Sequence, residues 1–117
     1  AEFKVWGSGK QSRDFIHIDD CVRGVLATMD RLKGGDALNL STGRLTTFLE
    51  FADIATRLTG YSPKVYGDTS MPEGVASRGG DTTKQKSLGF VATTTLEEGI
   101  AQCLEHLSAG RELAGSR

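Results

Sequence analysis

A strand, a tight turn, a second extended run and the start of a helix follow one another in Val5–Asp20, VWGSGKQSRDFIHIDD. Phe3 and Val5 on one side and Phe15, Ile16 and Ile18 on the other are β-type runs. Between them Gly7-Ser8-Gly9-Lys10 supplies glycines for a turn that a Cβ-bearing chain would resist. Asp19 or Asp20 then stands where a carboxylate can accept the first free amides of a helix.

That helix carries Cys21, Val22, Val25, Leu26, Met29 and Leu32 at a spacing close to 3.6 and stops at Gly34-Gly35, so this face is expected to be buried. Ala37-Leu38-Asn39-Leu40 reads as a short buried strand, with Ser41-Thr42-Gly43 as the loop after it. Thr47-x-x-Glu50 is a capping box that opens a helix through Phe51, Ile54, Ala55 and Leu58 to Gly60. Lys64-Val65-Tyr66 predicts a brief edge strand after Pro63, and 67–80 a long loop with no period of either kind. A loop of that length inside a domain is the first place to look for binding. Asp81 caps a short helix ending at Leu88-Gly89, and Thr95-x-x-Glu98 opens a last helix through Leu96, Ile100, Cys103, Leu104 and Leu107. Residues 1–110 are expected to form one folded region and 111–117 a frayed tail. Helices alternating with a few short strands define an α/β fold, in the form of a mixed α+β fragment whose sheet is either small or missing its other half.

The 117 residues carry 14 Lys and Arg against 15 Asp and Glu, a net charge of −1, and are 38% hydrophobic, which suits one globular domain. With no excess of positive charge, nucleic acid and anionic membranes have no electrostatic basis as partners. No apolar run approaches the roughly 18–20 residues of a membrane span, and Ala1 opens directly into strand-like sequence without a leader. A cytoplasmic protein, cut from something longer, is the expectation. Cys21 and Cys103 sit in apolar helical patterns without a Cys or His neighbour and read as buried thiols.

The search for chemistry returns mostly absences. Gly9-Lys10 has Lys4 and Gln11 where a phosphate-gripping P-loop needs Gly and Ser or Thr. Gly7-x-Gly9 is followed by Ser12 where a dinucleotide fingerprint needs its third glycine. His17 and His106 lack the companions of a metal site, and His17 reads as a hydrogen-bonded strand residue. No catalytic residue, metal site or cofactor site is written in the chain. Arg13, just past the glycine turn, and Arg78, before Gly79-Gly80, each present a planar fork of donors. With Trp6 they would suit a diphosphate and a base if they converge.

VWGSGKQSRDFIHIDD with its helix, then ALNLSTG, TTFLEFADIATRLTG and DTSMPEGVASRGGDTTKQKSLGFVATTTLEEGI, in that order, resemble the C-terminal part of the extended short-chain dehydrogenase/reductases, the NAD-dependent epimerase/dehydratase family of nucleotide-sugar enzymes. The loop is most similar to the GDP-fucose synthase branch, which Pro72, Glu73, Gly74, Arg78 and Asp81 fit. The resemblance implies the C-terminal lobe of an extended Rossmann-type enzyme, with Trp6, Gly9, Arg13 and Arg78 binding the nucleotide sugar. The parent's other, Rossmann domain would supply NAD or NADP and a Tyr-x-x-x-Lys pair, which Tyr61 and Tyr66 do not offer. A homo-oligomer is implied too. A non-catalytic nucleotide-binding or interaction module is the alternative.

Overall fold

The computed structural model describes residues 1–115, and side chains as far as Arg111. Strand β1 (Glu2–Trp6) pairs in parallel with β4 (Lys64–Asp68), with Glu2 opposite Lys64 and Trp6 opposite Asp68. A second small sheet has β2 (Ser12–Arg13) at its centre, antiparallel to β3 (Thr46–Thr47) and parallel to β5 (Ser77–Arg78). The helices are α1 (Ile18–Thr28), continued by a single 3-10 turn, α2 (Phe48–Leu58), α3 (Thr83–Ser87) and α4 (Leu96–Gly115). Helix α2 lies against β1, β4 and α4. The expected mixed α/β architecture is the observed one.

The capping signals work to different degrees. In the Thr95 box the Thr95 amide donates to the Glu98 carboxylate at 2.9 Å and the Glu98 amide to Thr95 Oγ1 at 3.2 Å, so the exchange is complete. At α2 only half of it forms. The Glu50 amide donates to Thr47 Oγ1 at 3.1 Å, but the Glu50 carboxylate is drawn off by Arg44 Nη2 at 2.6 Å. The cap of α1 is His17, whose Nδ1 accepts from the Asp19 amide at 3.2 Å, and not Asp19 or Asp20.

Several elements depart from expectation. Phe15 and Ile16 belong to no strand, and Ile18 opens α1; pairing takes Ser12-Arg13 instead. Ala37–Leu40 is not a strand, because no neighbouring strand supplies a ladder. Side chains hold this run in its place: Lys84 Nζ donates to the Ala37 carbonyl at 2.6 Å, and the buried Gln85 amide both accepts from Ser41 N–H and donates to Ser41 C=O at 2.9 Å. The loop expected over 67–80 contains the end of β4 and all of β5. Helix α4 passes through Gly110, where the sequence suggests an end, and reaches Gly115; the last residues of the expected tail, 116–117, lie outside the described residues. Cys21 is half-buried and Cys103 exposed, so the thiols are not core residues.

The largest correction concerns α1. Its apolar face is open, with Ile18, Val22, Val25, Leu26 and Met29 between 49% and 66% exposed. The packed stripe is Asp20, Gly24 and Thr28, four residues apart. Gly24 makes this possible, since a Cβ there would stand 3.0 Å from Leu40 and Phe90 side-chain carbons. Among the described residues the buried apolar ones number only five, Val5, Ala52, Ile54, Phe90 and Ile100. The radius of gyration is 17.2 Å, against about 13 Å for a compact domain of this length. A chain folded this way leaves an apolar face without a partner in its own described residues.

Asp20 ties α1 to the segment before α4. It accepts from the Thr93 amide at 3.1 Å, the Thr94 amide at 2.8 Å and Arg23 Nη2 at 2.7 Å. Burial pushes this carboxyl up, but the Thr94 amide, the Arg23 guanidinium and the Thr93 amide outweigh it and hold the group down at about 2. A folded-state value below the ordinary 3.8 means stability that is present above 3.8 and lost as pH falls toward 2. Asp20→Ala, which strands two part-buried amides, is expected to cost about 2 kcal/mol at neutral pH. Urea unfolding of both proteins between pH 6 and pH 3 checks this; the variant should also show a flatter acid limb.

Candidate functional site

Residues 12–14 form the centre of the site because three segments meet on them. Arg13 lies opposite Arg78 in the parallel register of β2 and β5, an arrangement that sends both side chains to the same face. Ser12 Oγ donates to Ser77 Oγ at 3.0 Å, the Ser12 amide to the Ala76 carbonyl at 2.9 Å and the Asp14 amide to the Arg78 carbonyl at 3.2 Å, so the pairing is secured on both sides of the arginines. Both arginines line one cavity of about 360 Å³, with Asp14, residues 38–41 and Gly79-Gly80.

The two guanidiniums are uncompensated. Arg13 Nη1 donates to the Ser12 carbonyl at 2.7 Å and to the Val75 carbonyl at 2.8 Å, and its Cζ stands 5.4 Å from the centre of the Phe48 ring. Those bonds orient the fork without neutralising it. Among the described residues neither Arg13 nor Arg78 has a carboxylate within ion-pair distance. The nearest acid in sequence, Asp14, is committed elsewhere: Oδ1 accepts from the Thr42 amide at 2.9 Å and Thr42 Oγ1 at 2.7 Å, and Oδ2 from the Gly43 amide at 2.8 Å. Two like charges held side by side at a cavity favour a multiply charged anion between them.

Gly80 keeps that cavity open. A Cβ on it would overlap Ser41 Oγ and come within 3.4 Å of Asn39 Cβ. Ser41, Asn39 and Asp14 are parts of the site that no sequence motif singles out. Their only signal is the extended run before Thr42, whose position beside β5 depends on Gln85.

Trp6 and Gly9 are not brought to this cavity. Trp6 is 60% exposed at the end of β1, and is linked to the turn by the bond from Gln11 Nε2 to its carbonyl at 2.7 Å. Gly9 serves packing: its φ is +73°, and a Cβ would lie 2.5 Å from Leu49 Cγ. Glu73, which sequence reading placed in the binding loop, clamps the glycine turn. Its carboxylate accepts from Ser8 Oγ at 2.6 Å and the Ser8 amide at 3.3 Å, and the Ser8 hydroxyl holds it below the ordinary carboxylate value.

The residues present do not fit a dinucleotide cofactor. The glycine turn leads from strand to strand and not into a helix, and Leu49 and Glu73 fill the space beside Gly9 and Gly7. Among the described residues no group of acidic, His and Cys side chains could hold a metal ion, and no helix is long and apolar enough to cross a membrane.

The chain is a mixed α/β fold with a cavity suited to an anion, and comparison with known proteins matches this architecture to Rossmann-type epimerases and reductases. Residues 1–41 match the NAD dependent epimerase/dehydratase family. A putative GDP-L-fucose synthase 2 of Oryza sativa subsp. japonica is 36% identical over 99 residues, which is 85% of this chain and 28% of the relative. In three dimensions the chain is similar to a GDP-6-OMe-4-keto-L-xylo-heptose reductase from C. jejuni (TM-score 0.80, 29% identity, 92% of this chain and 34% of that one). It is similar also to the UDP-glucose 4-epimerase of Thermotoga maritima, solved with UDP-glucose (TM-score 0.78, 32% identity, 93% and 35%). Residues 1–41 thus carry the match to the NAD dependent epimerase/dehydratase family, and the chain as a whole is similar to nucleotide-sugar epimerases and reductases, of whose length it spans about a third.

Proposed function

We propose that residues 1–110 are the nucleotide-sugar-binding region of an NAD(P)-dependent epimerase, dehydratase or reductase, corresponding to its C-terminal lobe. The observation that carries this reading is the convergence of Arg13 and Arg78 on one cavity, with no carboxylate among the described residues at ion-pair distance from either. A nucleoside diphosphate offers adjacent anionic groups that match two forks of donors. Trp6, exposed across the glycine turn, supplies an aromatic face for the base. The names of the relatives favour guanine as that base.

The chain's own work in this reading is binding and orientation, which bring a sugar to a reacting partner in fixed geometry. Nicotinamide, when bound to the parent's Rossmann domain, supplies hydride transfer. The open face of α1 and the unladdered run 37–41 are the surfaces that such a domain would cover, and a homo-oligomer is the expected assembly of the whole.

Calorimetric titration with GDP-, UDP- and dTDP-sugars, beside NADH, tests this. Saturable heat with a GDP-sugar and none with NADH is expected. NADH binding with no response to any nucleotide sugar would overturn it.

A further inference from the structure

We propose that Asp14 is a positioning residue for diphosphate binding, the latch that holds the two-arginine cavity in register, an inference that rests on the reading of that cavity as an anion site. Asp14 sits between the charged strand and the facing wall. Its amide holds the Arg78 carbonyl at 3.2 Å, and its carboxylate holds Thr42 and Gly43, directly beyond the 38–41 wall, through contacts of 2.7, 2.9 and 2.8 Å. Gln85 fixes the same wall one residue earlier, at Ser41. One side chain thereby sets how far the wall stands from both arginines. A carboxylate beside an anion site is otherwise unfavourable, since its charge repels the ligand. Three hydrogen bonds from Thr42 and Gly43 occupy that charge and use it for geometry.

The proposal separates cleanly from plain electrostatics because the two predict opposite signs. Asp14→Asn removes a negative charge, so a Coulomb effect alone would tighten anion binding. As a latch it fails: one Asn atom still accepts from Thr42, but its NH2 meets the Gly43 N–H, donor against donor, and the turn is released.

The experiment measures binding of inorganic pyrophosphate and of GDP by calorimetry, below the thermal transition of each variant. Asp14→Asn is expected to weaken both by about tenfold, the loss of one charge-assisted hydrogen bond. Thr42→Val, which keeps the charge and deletes one bond to it, should weaken them severalfold, while Thr42→Ser should bind as the parent does. Equal or tighter binding by Asp14→Asn overturns the proposal. If that variant does not fold, equal affinity of the Thr42→Val and Thr42→Ser proteins overturns it. A parent chain that binds neither pyrophosphate nor GDP removes the anion reading and this inference together. A parent that binds while Asp14→Asn is unimpaired removes this inference alone.

Discussion

The doubly substituted chain, Arg13→Ala with Arg78→Ala, is expected to lose measurable binding of a GDP-sugar. Each guanidinium offers charge-assisted hydrogen bonds worth about 1.5–3 kcal/mol, so each single substitution should weaken affinity by roughly ten- to a hundredfold. The two residues are register neighbours on one cavity, so their losses will not simply add. Lys at either place is expected to recover only part of the affinity, since it keeps the charge and loses the fork. Arg44 is the matched control: its guanidinium is paired with Glu50 at 2.6 Å and lies outside the cavity lining. Titration of a GDP-sugar into the parent chain, the two single alanine variants, the double variant and Arg44→Ala decides the matter. If Arg44→Ala weakens binding as much as Arg13→Ala or Arg78→Ala, the effect is one of net charge and the site is wrong.

The chain is also expected to self-associate. Four large apolar side chains on α1 and Met29 in the turn after it are about half or more exposed, and burying one such group is worth about 1.5–3 kcal/mol, enough in sum to bring two copies together. The apolar groove of about 390 Å³ between Phe15–Ile18, α2 and α4 adjoins this face through Ile18, extending the surface that seeks cover. Sedimentation should show association rising with concentration, together with binding of an apolar dye. Val22→Glu with Leu26→Glu should restore the monomer without unfolding it, because the packed stripe of α1 is Asp20, Gly24 and Thr28. A clean monomer of the parent chain at high concentration, with no dye binding, would refute the expectation.

Helix positions were legible because they depend on local signals. The 3.6-residue periodicity of α1, α2 and α4 and the Thr95-x-x-Glu98 box act within a few residues of themselves, and the structure forms these helices and this box, although the apolar face of α1 stays open. Arg13 and Arg78 were legible as candidates for the same reason: a guanidinium near a glycine turn or in a long loop is visible in the chain.

Which surfaces meet is a different kind of question. Periodicity shows that α1 has an apolar face but not what covers it, and here the opposite stripe packs because Gly24 admits Leu40 and Phe90 while Asp20 collects two amides from beyond Phe90. Ala37–Leu40 has the composition of a strand, yet a strand exists only when another lies beside it. The half-formed cap at Thr47 could not be foreseen either, since Arg44 competes for Glu50 across a turn. By itself the sequence determined the main helices and their order, the family resemblance and the residue types available to hold an anion. Only the tertiary structure decided which segments pair as strands, that Arg13 and Arg78 share a cavity while Trp6 stands outside it, and that Asp14 commits its carboxylate to Thr42 and Gly43. Pairing of β2 with β5 joins segments far apart in the chain, and such a contact is set by packing of the whole molecule, which no local pattern records.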